Sequence, residues 1–191
     1  MPSQSLREFR VLSTTAMRTA VGLGAYMVGA ATGLTYPRFL GLRAAADRAL
    51  NLGNLDDADR LARELLDLAA AYDEDFYHGN ALHHGNLLRG RTALRRGDTK
   101  VAGDFLREAA KTPGSPQLNT FGPNMLLAKE LLEAGEREVV LEYLEDCKAF
   151  WNACENVATA DGAMPPSAAL DAWADAVREG RVPDFGPNLV Y

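Results

Sequence analysis

The chain has 191 residues, enough for one domain with a sizeable hydrophobic core and one appendage, and its two cysteines exclude a fold built on a disulfide framework. The formal charge of −6 conceals a division, because residues 1–43 carry a net charge of +4 and residues 44–191 one of −10. Nucleic acid binding needs a basic face, so the acidic body argues against nucleic acid as a partner. The basic amino-terminal segment favours association with a membrane.

An uncharged stretch runs from Thr19 to Pro37, between two arginines. As a helix, its residues before the proline would span about 27 Å, just enough to cross a bilayer. Small residues recur every four positions, as in membrane helices that pack closely, at Ala25, Gly29 and Gly33. The stretch predicts a single-pass anchor in the lipid bilayer. We expect the helical domain on the periplasmic or extracytoplasmic side.

Two other interpretations of this stretch stay open. In a secretory signal, the arginines before the apolar core would form the basic region. The motif Val28-Gly29-Ala30 would be the cleavage site, and the exported protein would start at Ala31. The third interpretation is a buried helix of a soluble domain. Amino-terminal sequencing of the native protein distinguishes cleavage from retention.

The rest of the chain shows a helical pattern and almost no strand signal. Between Leu55 and Ala69, apolar residues recur at spacings of three and four. Three glycines each close one amphipathic helix and open the next, at Gly53, Gly97 and Gly135. Their separations of 44 and 38 residues are typical of stacked helix pairs.

Small and apolar residues surround Gly97 where two paired helices would meet, at Gly90, Ala93, Ala102, Leu106 and Ala109. This pattern resembles a tetratricopeptide repeat, with looser matches around Gly53 and Gly135. The segments GNALHHGN, FGPNMLLAKELL and DFGPNLVY also resemble uncharacterised bacterial membrane-anchored proteins with degenerate repeats of this kind. The resemblance implies an all-α fold: an antiparallel array of helix hairpins after an amino-terminal transmembrane helix.

These features divide the chain into three parts. Residues 1–38 form the amino-terminal tail and anchor, residues 39–160 the repeat domain, and residues 161–191 a last helix and a tail that packs on the domain. The tetrapeptide Phe-Gly-Pro-Asn occurs twice, at residues 121–124 and 185–188. We expect each phenylalanine to pack into a groove while Gly-Pro turns the chain.

All three histidines lie within seven residues, at His78, His83 and His84. One hypothesis is a metal-dependent enzyme that uses this cluster. However, helical metal sites use histidines four residues apart, and these spacings point the three rings in different directions on one helix. We expect His83 and His84 to begin a helix of the best-matched unit. Common catalytic, phosphate-binding and dinucleotide-binding motifs are absent from the sequence, so we predict neither an enzyme nor a cofactor.

Stacked helix pairs predict a groove along the inner faces of their first helices. The expected partner-binding residues are His84, Leu87, Arg91, Arg95, Met125 and Lys129. The cations among them can pair with carboxylates of a partner. The sequence therefore predicts a membrane-anchored interaction module, an accessory, scaffold or assembly subunit that contacts other membrane-complex subunits. After signal cleavage, the same domain would be an exported soluble adaptor.

Overall fold

The computed structural model describes residues 20–27, 31, 33–151 and 166–190, and every regular element in these ranges is helical. The predicted all-α class is therefore confirmed. After residue 33, the described helices are α1 (Thr35–Asn51), α2 (Leu55–Ala71), α3 (His78–Arg95), α4 (Thr99–Ala110), α5 (Pro116–Phe121), α6 (Leu126–Glu133), α7 (Arg137–Trp151) and α8 (Pro166–Arg178). A 3-10 turn, Gly186–Leu189, follows in the tail.

Helices α1, α3, α6 and α8 all end at a glycine in the same way. Gly53 has a φ of 80°, and the N–H groups of Gly53 and Asn54 donate to carbonyls in the last turns of α1. The same pair of hydrogen bonds recurs at Gly97, Gly135 and Gly180. Because glycine takes this φ without strain, the chain can stop one helix and reverse direction. Consequently α1 and α2, α3 and α4, and α6 and α7 form antiparallel pairs.

The hydrophobic core has two parts that meet at α3. One part lies among α1, α2 and α3, and the other extends from α3 to α8 and the tail. Leu88 of α3 belongs to the first part and Leu87 to the second. Glycines let the neighbouring helices approach α3: a Cβ at Gly85 would meet a side chain of α2, and one at Gly90 would meet a side chain of α6. Helix α3 is therefore central to the fold.

Residues 20–27 form a helix that lies against α1. A Cβ added to Gly41 would lie 2.2 Å from the Tyr26 nitrogen and 2.5 Å from the Gly22 carbonyl oxygen, so the two backbones are in direct contact. The guanidinium of Arg38 lies 5.0 Å from the centre of the Tyr26 ring. A Cβ at Gly22 would likewise meet Ala44, so this face of the segment packs against α1.

The continuous helix predicted for residues 19–36 is interrupted at residues 33 and 34. Gly33 has a φ of 71° and Leu34 is extended, which ends helical hydrogen bonding before α1 begins. Within the described residues, no helix combines the length and the apolar character needed to cross a bilayer. Of the predicted packing ridge, Ala25 is half-buried and Gly33 is exposed. Gly29, the first nineteen residues and the cleavage motif lie outside the described residues.

The last helix and the tail contact the body through aromatic rings. Trp173 of α8 stacks on Trp151 of α7 with ring centres 5.8 Å apart, and Phe185 of the tail lies 5.2 Å from Trp173. Phe185 is 1% exposed, whereas Phe121 is 51% exposed. The prediction that both phenylalanines are packed is wrong for Phe121. There Gly122 takes the buried position, against the ring of Trp151.

Candidate functional site

A cleft of about 440 Å³ opens between α1 and α3, on the face formed by the first helices of the hairpins. We call it the α1–α3 cleft. Its polar lining residues are Arg43, Asp47, Arg48, Asn51, His84, Arg91 and Asn124. Its apolar lining residues are Leu52, Leu87, Leu88, Leu126, Leu189 and Val190. The cleft is therefore amphipathic, and the tail supplies part of its wall.

The structure brings together three of the predicted groove residues, His84, Leu87 and Arg91, which all line the α1–α3 cleft. Their side chains reach the same cleft because they lie three and four residues apart on α3. His84 is 4% exposed and Arg91 is 8% exposed. These three residues of α3 therefore share one cleft wall.

The other three predicted groove residues do not line this cleft. Arg95 is exposed in the last turn of α3. Lys129 lies 3.8 Å from Glu133 of its own helix. Met125 is completely buried in the core, and its N–H donates to the Asn188 carbonyl of the tail. The cleft lining therefore includes three of the six predicted groove residues and leaves out these three.

Arg91 connects three helices at the base of the cleft. Its Nε and Nη2 each donate to the Glu130 carboxylate of α6, both at 3.0 Å. Its Nη1 lies 3.8 Å from Oδ1 of Asp47 on α1. The bidentate pair holds the guanidinium plane in one orientation. Arg91 is therefore a rigid part of the cleft.

Asp47 lies between two guanidiniums without a close bond to either. Arg91 Nη1 is 3.8 Å and Arg43 Nε is 4.0 Å from its carboxylate, and both distances exceed that of a hydrogen bond. Burial in the cleft walls raises the pKa of Asp47, an effect that the two arginines only partly oppose. Yet 37% of the side chain stays accessible through the cleft mouth. Asp47 therefore leaves donors of both arginines available to a ligand.

The contribution of α1 to the cleft was not predicted, although the repeat contains a signal for it. Asp47 precedes Gly53 by six residues, as Arg91 precedes Gly97. Arg43 likewise precedes Gly53 by ten residues, as Leu87 precedes Gly97. The contribution of the tail has no such signal, because it depends on how the tail docks.

His83 is completely buried, and both of its ring nitrogens have partners. Nδ1 donates to the Ala109 carbonyl at 2.9 Å, and the Asn124 N–H donates to Nε2 at 3.1 Å. This pattern needs a neutral ring, because a protonated Nε2 cannot accept. Burial lowers the pKa of His83, the bond to Ala109 opposes this effect and the nearby Arg43 adds to it, and together they bring the pKa from 6.5 to about 4.

The three histidines do not form a common site. Helix α3 begins at His78, earlier than predicted, so all three lie on one helix. The ring of His78 donates to the Ala69 carbonyl, and His84 lines the α1–α3 cleft. In the described ranges, no group of three histidine, cysteine, aspartate or glutamate side chains could hold a metal. The observed geometry therefore gives the metal-enzyme hypothesis no support.

We expect the free energy of unfolding to fall by about 2 kcal/mol between pH 7.5 and pH 5 because of His83. In the unfolded chain, His83 binds a proton as the pH falls below its ordinary pKa of 6.5, whereas in the folded chain it binds one only near pH 4. The stability that the neutral His83 contributes is therefore fully present above pH 6.5 and is lost as the pH falls towards 4. Burial also lowers the pKa of His84, which adds a loss in the same direction. Urea unfolding followed by circular dichroism measures the change.

The variant His83→Gln isolates this contribution, because glutamine keeps a donor and an acceptor but does not titrate in this range. Its stability should depend less on pH than that of the wild type, by about the same 2 kcal/mol. Parallel curves for the wild type and His83→Gln would contradict the prediction.

Comparison with known proteins finds no protein-family model, curated protein or solved structure that matches this chain. The resemblance to tetratricopeptide repeats therefore stays a prediction from the sequence.

Proposed function

We propose that this protein is an interaction module that binds an acidic segment of a partner protein in the α1–α3 cleft. The observation that carries the proposal is the charge of the lining. Arg43, Arg48 and Arg91 line the cleft together with the Asp47 carboxylate, and the Glu130 carboxylate pairs with Arg91. Three guanidiniums and two carboxylates leave an excess of one positive charge, in a chain whose net charge is −6. Guanidiniums bind carboxylates through paired hydrogen bonds. The cleft is therefore a local cationic site on an acidic protein.

The apolar lining favours a peptide over a small inorganic anion. Leu87 and Leu88 lie beside the arginines, and Leu52 is 64% exposed at the mouth. The cleft volume of about 440 Å³ is within the range of about 300–1,000 Å³ typical of ligand sites. We infer that the bound segment has acidic side chains next to apolar ones.

The wider proposal is that the module serves a larger membrane complex as an accessory, scaffold or assembly subunit. The uncharged stretch at residues 19–37 and the arginines around it support membrane attachment. The contact of residues 20–27 with α1, through Gly22 and Gly41, favours the alternative in which this segment belongs to the domain. Single-pass anchoring, the side of the membrane and export after cleavage all stay predictions.

Reversing the charge of the cleft should prevent partner binding. A photo-crosslinking amino acid at Leu52, at the cleft mouth, should form an adduct with the partner in cells. We expect the double substitution Arg43→Glu and Arg48→Glu to reduce this adduct at least tenfold, because two attractive contacts become repulsive. Mass spectrometry identifies the adduct, and circular dichroism confirms that the variant is folded.

Two controls separate cleft binding from general charge effects. The substitution Arg60→Glu changes an exposed residue of α2 outside the cleft lining and should leave the adduct unchanged. The photo-crosslinker at Val101 of α4, also outside the cleft lining, should not capture the same protein. The proposal fails if the adduct survives reversal of Arg43 and Arg48, or if Arg60→Glu removes it equally.

A further inference from the structure

The two Phe-Gly-Pro-Asn tetrapeptides, so far apart in the sequence, lie against each other. The side-chain Nδ2 of Asn188 donates to the carbonyl oxygen of Phe121 at 2.9 Å and to that of Pro123 at 2.8 Å. The N–H of Met125 donates to the carbonyl oxygen of Asn188 at 2.8 Å. Three hydrogen bonds therefore join the second tetrapeptide to the first one and the residue after it.

Asparagine is the side chain that this arrangement requires. Its amide has two N–H donors, and Asn188 directs them at two backbone oxygens. Asn188 is 6% exposed, so water has little access to replace these bonds. Aspartate would place its own oxygens against the two carbonyls, and alanine would remove their donor. The position therefore selects asparagine.

Phenylalanine and glycine are selected as well. Phe185 is 1% exposed and meets the ring of Trp173, which stacks on Trp151. Gly186 has a φ of 52°, in the left-handed region that glycine adopts most readily. The backbone of residues 121–125, together with these two tryptophans, forms a surface that we call the tetrapeptide seat. Its contacts are specific for the sequence of the segment it holds.

We propose that the tetrapeptide seat is a binding site for Phe-Gly-Pro-Asn segments, which the chain's own tail fills and which accepts the same segment of a second copy. The bound segment is a tethered ligand, since only a short link joins it to α8. The same contacts can form between copies, as in domain swapping. Because Leu189 and Val190 line the α1–α3 cleft, such an exchange also means that a second copy supplies part of the cleft wall. The binding itself is independent of the function proposed above.

The test uses a fluorescent synthetic peptide with the sequence of residues 184–190, Asp-Phe-Gly-Pro-Asn-Leu-Val. In the full-length chain, the substitutions Phe185→Ala and Asn188→Ala empty the seat. We expect this variant to bind the peptide at least tenfold more tightly than the wild type, whose own tail competes. A control peptide with aspartate in place of asparagine should bind at least tenfold more weakly. Fluorescence anisotropy measures both affinities.

A second measurement uses the wild-type chain and does not depend on how the variant folds. Millimolar peptide should displace the tail and speed hydrogen exchange at the Val190 amide, which donates to Pro187 in the docked tail. The Met125 amide should stay protected, because the asparagine of the bound peptide accepts its hydrogen bond. The proposal is overturned if the folded variant does not bind the peptide, or if the peptide affects Val190 no more than the aspartate control does.

Discussion

The substitution Gly79→Ala is expected to lower the free energy of unfolding by about 3 kcal/mol. The new Cβ would lie 1.8 Å from the carbonyl oxygen of Gly114 and 2.6 Å from its carbonyl carbon. Both are backbone atoms, so no side-chain rotation relieves the clash. Separating the two segments also strains the buried hydrogen bond from Thr112 Oγ1 to the Gly79 carbonyl, which is 2.8 Å long. Urea unfolding of the wild type and the variant measures the loss.

Gly103→Ala is the matched control, because Gly103 also lies within a helix. Its new Cβ would lie 3.4 Å from Val139 Cγ2, an ordinary van der Waals distance. Alanine is the better helix former, so this variant should be more stable than the wild type by up to about 1 kcal/mol. The two substitutions add the same methyl group and differ in what it meets. Equal stabilities would contradict the close approach of α3 to the loop after α4.

The substitution Glu130→Ala should also cost about 3 kcal/mol, because it leaves a buried cation without its main partner. The side chain of Arg91 is 9% exposed and donates twice to the Glu130 carboxylate. Asp47, at 3.8 Å, is too far away to replace those hydrogen bonds. The Glu130 side chain is 21% exposed, so water can partly solvate Arg91 once the carboxylate is removed. The loss of unfolding free energy should therefore be at the lower end of the range for buried pairs. The same unfolding measurement detects the loss.

The pair between Arg107 and Glu142 is a matched comparison, since it also joins two helices through an arginine and a glutamate. Their side chains are 41% and 52% exposed, so Glu142→Ala should cost less than about 1 kcal/mol. The double substitution Arg91→Leu and Glu130→Leu should be less harmful than Glu130→Ala, because it removes both charges of the buried pair. If the double variant loses as much stability as Glu130→Ala, the stranded charge is not the cause.

The positions of the helices follow from residues close together in the sequence. The Asp98 side chain accepts from the Val101 N–H at the start of α4, and Ser115 does the same for Leu118 in α5. The turn at Gly53 likewise uses only its neighbours. Such local interactions made the hairpins predictable. They do not extend to contacts between distant helices, so the groove residues were only partly predictable.

The histidine cluster shows the same limit. Helical geometry alone predicted that the three rings point apart, because the angle between side chains depends only on their spacing. What each ring meets depends on other elements. His83 is held neutral between α4 and the loop before α6 by Ala109 and Asn124, which no local pattern indicates.

The sequence by itself determined an all-helical chain, hairpins that turn at three glycines, and an acidic body after a basic start. These properties depend on periodicity, capping and charge, which act over a few residues. Only the tertiary structure decided that Arg43 and Asp47 of α1 share a cleft with Arg91 of α3, and that Val190 completes its wall. The reason is that this assembly depends on close helix contacts and on the docking of Asn188, and both join residues far apart in the chain.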